Sequence, residues 1–477
     1  MRKFVFMLMI AAFMCCLCAC AGKTAEITDN LSYDMALTLD GGTLDGSETV
    51  TYDNIYADKL TESVFHLYAN AYAENAANPA YSAKPQSYGG IAVTGVTSDG
   101  ETADYTVSDD GEYLTVKHAS KDIGDKVSIG VAFNVTLPEC ALRLGYINGS
   151  YNLSEFYPQL SVFSDGAFRT DKYSSVGDPV FSETADYDVR FTCPNSLVVA
   201  SSAKCAARTD DTTTQTLTFS GDNLRDFAMA CNSDYNVIST KSGDTSVYYF
   251  YTEDETAQNT LDTAADALTK FGEAFGAYPY DTFSVVRVPF DGDGMEYGGL
   301  VYVSERTDDV IGTVIHETAH EWWYGTVGND SINSGYLDEG LATFCEAYYY
   351  KLTGDEATFE NKISTIKRAY VSYEKLQSKR KTGLNLQMDY PVYDYTDYQY
   401  VMVEYYKGCM MFDNLYELYG ADKFNECMKK YCETYKFKIA DTKGFSDVAS
   451  DVFGTDVSGL VNGWISGKVV ATTFAAE

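Results

Sequence analysis

Two of the chain's four histidines stand four residues apart, in the string Val314-Ile315-His316-Glu317-Thr318-Ala319-His320. On an α-helix that spacing puts both imidazoles on one face, where they can reach a single metal ion. Glu317, about 100° around, can lean on a water held by that ion. The flanks predict the helix over 308–325: Asp308 and Asp309 put carboxylates in its first turn, and Gly325 supplies a stop. The other histidines are His66 and His118. With so few, chance assembles an HExxH string about 0.002 times in a chain of this composition, so the motif is a specific signal.

A catalytic zinc site takes three protein ligands and keeps a fourth position open for water. The expected third ligand is Glu339, in YLDEGLATFCEAYYY, nineteen residues beyond His320 and at the start of a second predicted helix that runs until Gly354. Taken alone, Glu339 reads equally as a solvated acid in a helix's first turn. The alternative for the histidines is an incidental buried pair. Ligand type alone also admits cobalt or manganese in place of zinc.

The rest of the chain predicts a β region followed by a helical one. Residues 33–236 consist of short alternating runs such as MALTLDGG, YLTVKHAS and KVSIGVAFNVTL, bounded by Gly, Asp and Asn. Period-two alternation with frequent turns predicts an antiparallel saddle or sandwich. Leu261, Ala264, Ala265, Leu268, Phe271 and Phe275 fall at helical spacing, strand-like runs follow at 283–289 and 300–304, and the remainder reads helical. The expected helices after 308–325 are 338–353, 356–379, 397–419, 422–435, 443–452 and 456–466. The fold class is therefore multidomain, β then α+β becoming mainly α, with expected boundaries at 33–240 and 241–477.

Residues 1–19 form an export signal: Arg2 and Lys3 precede an uncharged, almost wholly apolar run. It is too short to span a bilayer comfortably and ends Leu17-Cys18-Ala19-Cys20. That ending resembles a bacterial lipobox, which implies Cys20 as the lipidated N-terminus, residues 20–32 as lipid-bearing cysteine and tether, and a position on the outer face of a bacterial membrane. An uncleaved anchor or a plain secretion signal is the alternative. Beyond the leader stand Cys140, Cys193, Cys205, Cys231, Cys345, Cys409, Cys427 and Cys432. They are too sparse for a disulfide framework and read as mostly small buried side chains. The charge of −34, from 69 acids against 35 bases, repels phosphate backbones and argues against nucleic acid as a partner. It concentrates cations instead, including peptides with free amino termini.

HExxH followed after eighteen residues by Glu in a DEGLA context resembles the gluzincin metallopeptidases of the aminopeptidase N and leukotriene hydrolase type. Two further strings carry the resemblance, GDGMEYGGLVYV upstream of His316 and VEYYKGCMMF downstream of Glu339. The resemblance implies an N-terminal β-saddle, a thermolysin-like catalytic domain and one zinc ion per chain held by His316, His320 and Glu339. It implies Glu317 as general base, Tyr405 as donor to the tetrahedral oxyanion with Tyr406 as runner-up, and Glu296 as the acid that grips a substrate's free α-amino group. Gly294 would let backbone lie against an extended substrate. Tyr297 and Asp338 stand where Asn is common in the family. The chain is expected to stop near the end of the catalytic domain, without the C-terminal helical domain that caps the cleft in many members. The implied function is zinc-dependent removal of N-terminal residues from peptides. The alternatives are an endopeptidase with an open cleft and a non-catalytic peptide-binding lipoprotein.

Overall fold

The computed structural model describes residues 30–379 and 386–469; the export signal and Cys20 lie outside the described residues. The alternation predicted across the first half produces sheets. An eight-stranded sheet runs in the order 204–210, 214–224, 185–194, 32–40, 43–53, 126–136, 90–98, 101–102. All its pairings are antiparallel except that of Ser32–Asp40 with Ala185–Pro194, which run parallel. Alternate residues face inward: Tyr33, Met35, Leu37 and Leu39 from one strand, and Val127, Ile129, Val131, Phe133 and Val135 from another, are all buried. Two four-stranded sheets close over this face, and their apolar side chains share one core with it.

A five-stranded sheet begins the second half, in the order 236–242, 245–251, 282–288, 300–304, 294–297. The first crossover in it is helix α1 (Ala257–Phe275), which buries Leu261, Ala264, Leu268, Phe271 and Phe275 along one stripe. The longer helices that follow are α2 (Val310–His320), α3 (Glu339–Leu352), α4 (Glu356–Ser378), α5 (Gly408–Tyr435), α6 (Thr442–Phe453) and α7 (Ser458–Ile465). They pack with α1 into a second large core. Buried polar bonds lock the halves together. Asn152 Nδ2 donates to Pro289 O at 2.9 Å, and Tyr302 donates to Met229 O at 2.6 Å. Arg225 donates to the carbonyls of Ser182, Tyr324 and Lys438.

Two expected helices change shape. The one expected over 308–325 ends at His320, because the residues after it have tertiary partners that a continuing helix would separate. Trp322 Nε1 donates to Gly276 O at 2.8 Å, Trp323 Nε1 to Cys345 Sγ at 3.3 Å, and Glu321 accepts from the Gly299 N–H at 3.0 Å. The one expected over 397–419 is three pieces: a short turn Asp397–Tyr400, a wide π-helical stretch Val401–Lys407, and α5, which breaks at Gly420 with φ 78°. The eight cysteines from Cys140 onward are free; six are buried, Cys140 is half-buried and Cys205 exposed.

Candidate active site

The site is assembled from two helix beginnings, one strand and one wide turn. Asp309 is the N-cap of α2, accepting from the Gly312 N–H at 2.9 Å, and so lies just outside the first turn in which the sequence placed it. Asp338 caps α3, accepting from the Glu339 N–H at 2.6 Å and from Asn329 Nδ2 at 2.8 Å. Glu339, first residue of that helix, is buried rather than solvated. Its close approach to α5 depends on two glycines. A Cβ on Gly340 would sit 2.7 Å from Gly408 Cα, and one on Gly408 would sit 2.8 Å from Gly340 Cα. The backbones touch there, and the π-helical turn before Gly408 points Tyr405 at Glu339, to whose Oε1 its hydroxyl donates.

His316 Nε2, His320 Nε2 and Glu339 Oε2 converge. They lie 3.1 Å apart between the imidazoles and 3.2 and 3.3 Å from each imidazole to the carboxylate. Bonds of about 2.0–2.1 Å to a tetrahedral zinc would hold its ligands about 3.3 Å apart, so the donor set fits that ion. The tautomer fits too. His320 Nδ1 donates to Trp323 O at 3.0 Å, which leaves the Nε2 lone pair facing the centre. Glu346, itself paired to Lys362 at 2.7 Å, stands 3.7 Å from His316 Nδ1. Burial works to raise the Glu339 carboxyl, but the two imidazoles outweigh it and hold it well below the usual carboxylate range.

Glu317 lies beside this centre and is no part of that trio. Burial, opposed by the two histidines, pushes its carboxyl up to about 7. Its Oε2 is buried without a hydrogen-bond partner among the described residues. Gly294 explains its position, because a Cβ there would overlap the Glu317 carboxylate. The glycine thus makes room for an enzyme side chain, a role distinct from the expected contact with substrate backbone.

Strand Gly294–Tyr297 pairs on one side with Leu300–Ser304 and is the edge of its sheet. Two buried carboxylates hold the turn after it: Asp226 accepts from the Gly298 N–H at 3.0 Å and Glu321 from Gly299. Tyr297 faces the β half, its hydroxyl 2.8 Å from Ser154 Oγ. Glu296 is buried, its Oε1 also lacks a partner among the described residues, and burial followed by the nearby Asp178 carboxylate raises its pKa well above the usual range. Glu296, Glu317 and His320 each bring one ligating atom within 4.8 Å of the others. Tyr406, the alternative to Tyr405, lines the cleft beside it half-buried.

Sequence reasoning missed the contribution of the β half. Asp178 lies within 4.8 Å of Glu296 and Glu339, and Arg143 Nη2 donates to its Oδ1 at 2.5 Å. Tyr400 packs on Gly177 and keeps a buried hydroxyl with no partner among the described residues. Gly177-Asp178-Pro179 reads as a turn, and nothing local to it signals a site. The whole constellation opens into a cleft of about 990 Å³ that both halves line.

Comparison with known proteins matches residues 259–464 to the Peptidase family M1 domain. Aminopeptidase 2 of Candida albicans is 25% identical over 219 residues, 42% of this chain and 23% of that protein. Endoplasmic reticulum aminopeptidase 1 of Rattus norvegicus is 25% identical over 252 residues, 49% of this chain and 27% of that protein. The chain thus spans about a quarter of the length of these relatives. Among solved structures, an M1 zinc metallopeptidase from Deinococcus radiodurans superposes with a TM-score of 0.69 at 17% identity, covering 94% of this chain and 96% of that one. That likeness extends the shared fold over both halves, and the match to the Peptidase family M1 domain lies in the second of them, at 259–464.

Proposed function

We propose that the protein is a zinc-dependent aminopeptidase. The observation that carries this reading is the convergence in one cleft of a three-donor metal set with two buried carboxylates, Glu317 and Glu296, that each keep an oxygen unpartnered. His316, His320 and Glu339 would hold the zinc ion, which supplies Lewis-acid polarisation and a water acidic enough to attack near neutral pH. Glu317 accepts the proton of the attacking water and returns it to the leaving amine. Burial and the adjacent Glu339 raise the Tyr405 phenol's pKa well above its ordinary value, so it stays protonated and can donate to the oxygen on which charge develops. The free edge of strand Gly294–Tyr297 suits an extended peptide. Glu296 takes the peptide's ammonium, which leaves the first peptide bond within reach of the water.

The test is hydrolysis of aminoacyl-fluorophore substrates and their N-acetylated twins, with zinc removed and restored. Zinc-dependent release from the free-amino set alone is the expected result. Release from both sets would replace this reading with an endopeptidase. Release from neither, with long peptides bound but uncut, would favour a peptide-binding protein. The leader supports a lipoprotein on an outer membrane face; Cys20→Ser is expected to lose lipid labelling and leave the membrane fraction, and retention of both would refute the anchor.

A further inference from the structure

We propose that the end of the β half that carries Asn30 docks on a phospholipid bilayer through two exposed loop tips, Ile55 and Ile123. The inference rests on the lipoprotein reading of the leader, which puts a lipidated Cys20 in that bilayer, and adds a second contact to it. Asn30, where the described chain begins, lies at this end: its Nδ2 donates at 2.6 Å to Asp53 Oδ2, two residues before Ile55. Ten residue steps separate Cys20 from Asn30, a reach of at most about 36 Å. A lipidated Cys20 therefore keeps this end close to the membrane, at an effective concentration that makes weak contacts count.

The two tips form one rigid body. Asn54 is fully buried; its Oδ1 accepts from the N–H groups of Tyr56 and Ala57 at 3.1 and 3.2 Å, and its Nδ2 donates to Ala57 O and Lys121 O. Its backbone bonds to the second tip, the N–H donating to Asp125 O at 2.8 Å and the carbonyl accepting from the Gly124 N–H at 2.7 Å. This body holds Ile55 and Ile123 out to solvent, 36% and 53% exposed. Tyr56, half-buried beside Ile55, stacks on Phe163 at 5.1 Å, and Phe168 packs edge-on against it at 6.1 Å. Preformed apolar tips backed by aromatic rings suit the interfacial layer of a bilayer, which removes the isoleucines from water and accommodates a tyrosine. Charge is not the driving force. Lys59, Lys121 and Lys126 stand among Asp53, Asp58, Asp122 and Asp125, and Lys121 is already paired with Asp99 at 2.8 Å. The acids outnumber the lysines, so the contact favours a neutral lipid surface and stays at headgroup depth.

The experiment places tryptophan at each tip, Ile55→Trp and Ile123→Trp, in the lipidated protein on phosphatidylcholine vesicles whose acyl chains are brominated close to the headgroup. The three native tryptophans, Trp322, Trp323 and Trp464, are buried in the catalytic half and give a constant background. Leu418→Trp, at an exposed position of α5, is the control. Each tip tryptophan is expected to lose about half of its emission to bromine, and the control none. Equal quenching at tips and control would overturn the proposal. Hydrogen exchange needs no change at the tips: amides of 53–58 and 122–125 are expected to exchange about tenfold more slowly in the vesicle-bound protein than in unlipidated Cys20→Ser. Equal rates in the two forms would overturn the proposal, and rates that then change with protein concentration would give the patch to a second copy instead. Protein that carries no lipid and leaves the vesicles would remove the lipoprotein reading and this one together; lipidated, vesicle-bound protein with unquenched tips would remove this one alone.

Discussion

Glu317 and Tyr405 sit at the same centre and make separable contributions. On the proposed mechanism Glu317→Gln removes the proton acceptor and keeps the three metal donors, so zinc content is expected to hold while kcat falls about 10²–10⁴-fold. Retained turnover would reject the general-base role. Tyr405→Phe deletes a donor and nothing else from the cleft wall, and about a hundredfold loss in kcat with little change in KM is expected. Far from the cleft, Glu48 shows a cost at the residue scale. It lies on the inner face of its strand opposite Met35 and Val131, buried, with neither oxygen partnered among the described residues. Burial raises its pKa well above the ordinary value. A carboxyl whose folded pKa is raised keeps its proton in the fold and loses it when unfolded. Its effect on stability is therefore least harmful below the unfolded value near 4.5 and worsens as pH rises toward the folded one. Glu48→Met is expected to stabilise by about 1–3 kcal/mol at pH about 8, and by less at pH about 5, in urea unfolding. Destabilisation at both pH values would mean that the carboxyl is satisfied in the fold.

At the scale of elements, the site depends on where helices start and how closely they cross. The Asp309 and Asp338 caps fix the first turns of α2 and α3, and both His316 and Glu339 lie within two turns of a cap. The Gly340–Gly408 contact then sets the distance between the third metal donor and the tyrosine-bearing turn. Gly408→Ala would be a favourable change in an isolated helix. Here its Cβ meets Gly340 Cα and Tyr336 Cβ, and overpacking of this kind costs about 1–3 kcal/mol. Lower unfolding stability together with a kcat loss like that of Tyr405→Phe is expected; unchanged kinetics would mean that the crossing does not position the phenol. Both glycines were visible in the DEG and KG strings. Their contact was not, because sixty-eight residues separate them in sequence and neither has a local conformation that demands glycine.

For the whole molecule, the net charge of −34 is expressed in the cleft, whose lining carries Glu139, Asp291, Asp293, Asp309 and Asp397, besides the buried acids of the site, against Lys84, Arg143 and Arg306. Such a field draws cationic peptides in and repels acidic ones. Raising ionic strength from about 0.01 to about 1 M shortens the screening length from about 30 to about 3 Å. Over that range kcat/KM for peptides with Lys or Arg beyond the first residue should fall and that for Glu-containing peptides should rise. Equal salt responses would show that the lining charges do not act on substrate. What the sequence determined by itself was local or periodic: the His pair on one helical face, Glu339 at a helix start, alternating strands, the apolar stripe of α1. Each depends on neighbours within a turn or two, so a reader of the chain can reconstruct it. What only the tertiary structure decided was set by partners far along the chain. The helix ended at His320 because two indoles and Glu321 had bonds to make elsewhere. Tyr405 reached Glu339 because two glycine backbones touch, and Asp178 came to Glu296 because Arg143 and the bonds between the halves hold a β-half loop against the catalytic half. Burial removed water from these groups, and their remaining polar demands fixed the geometry.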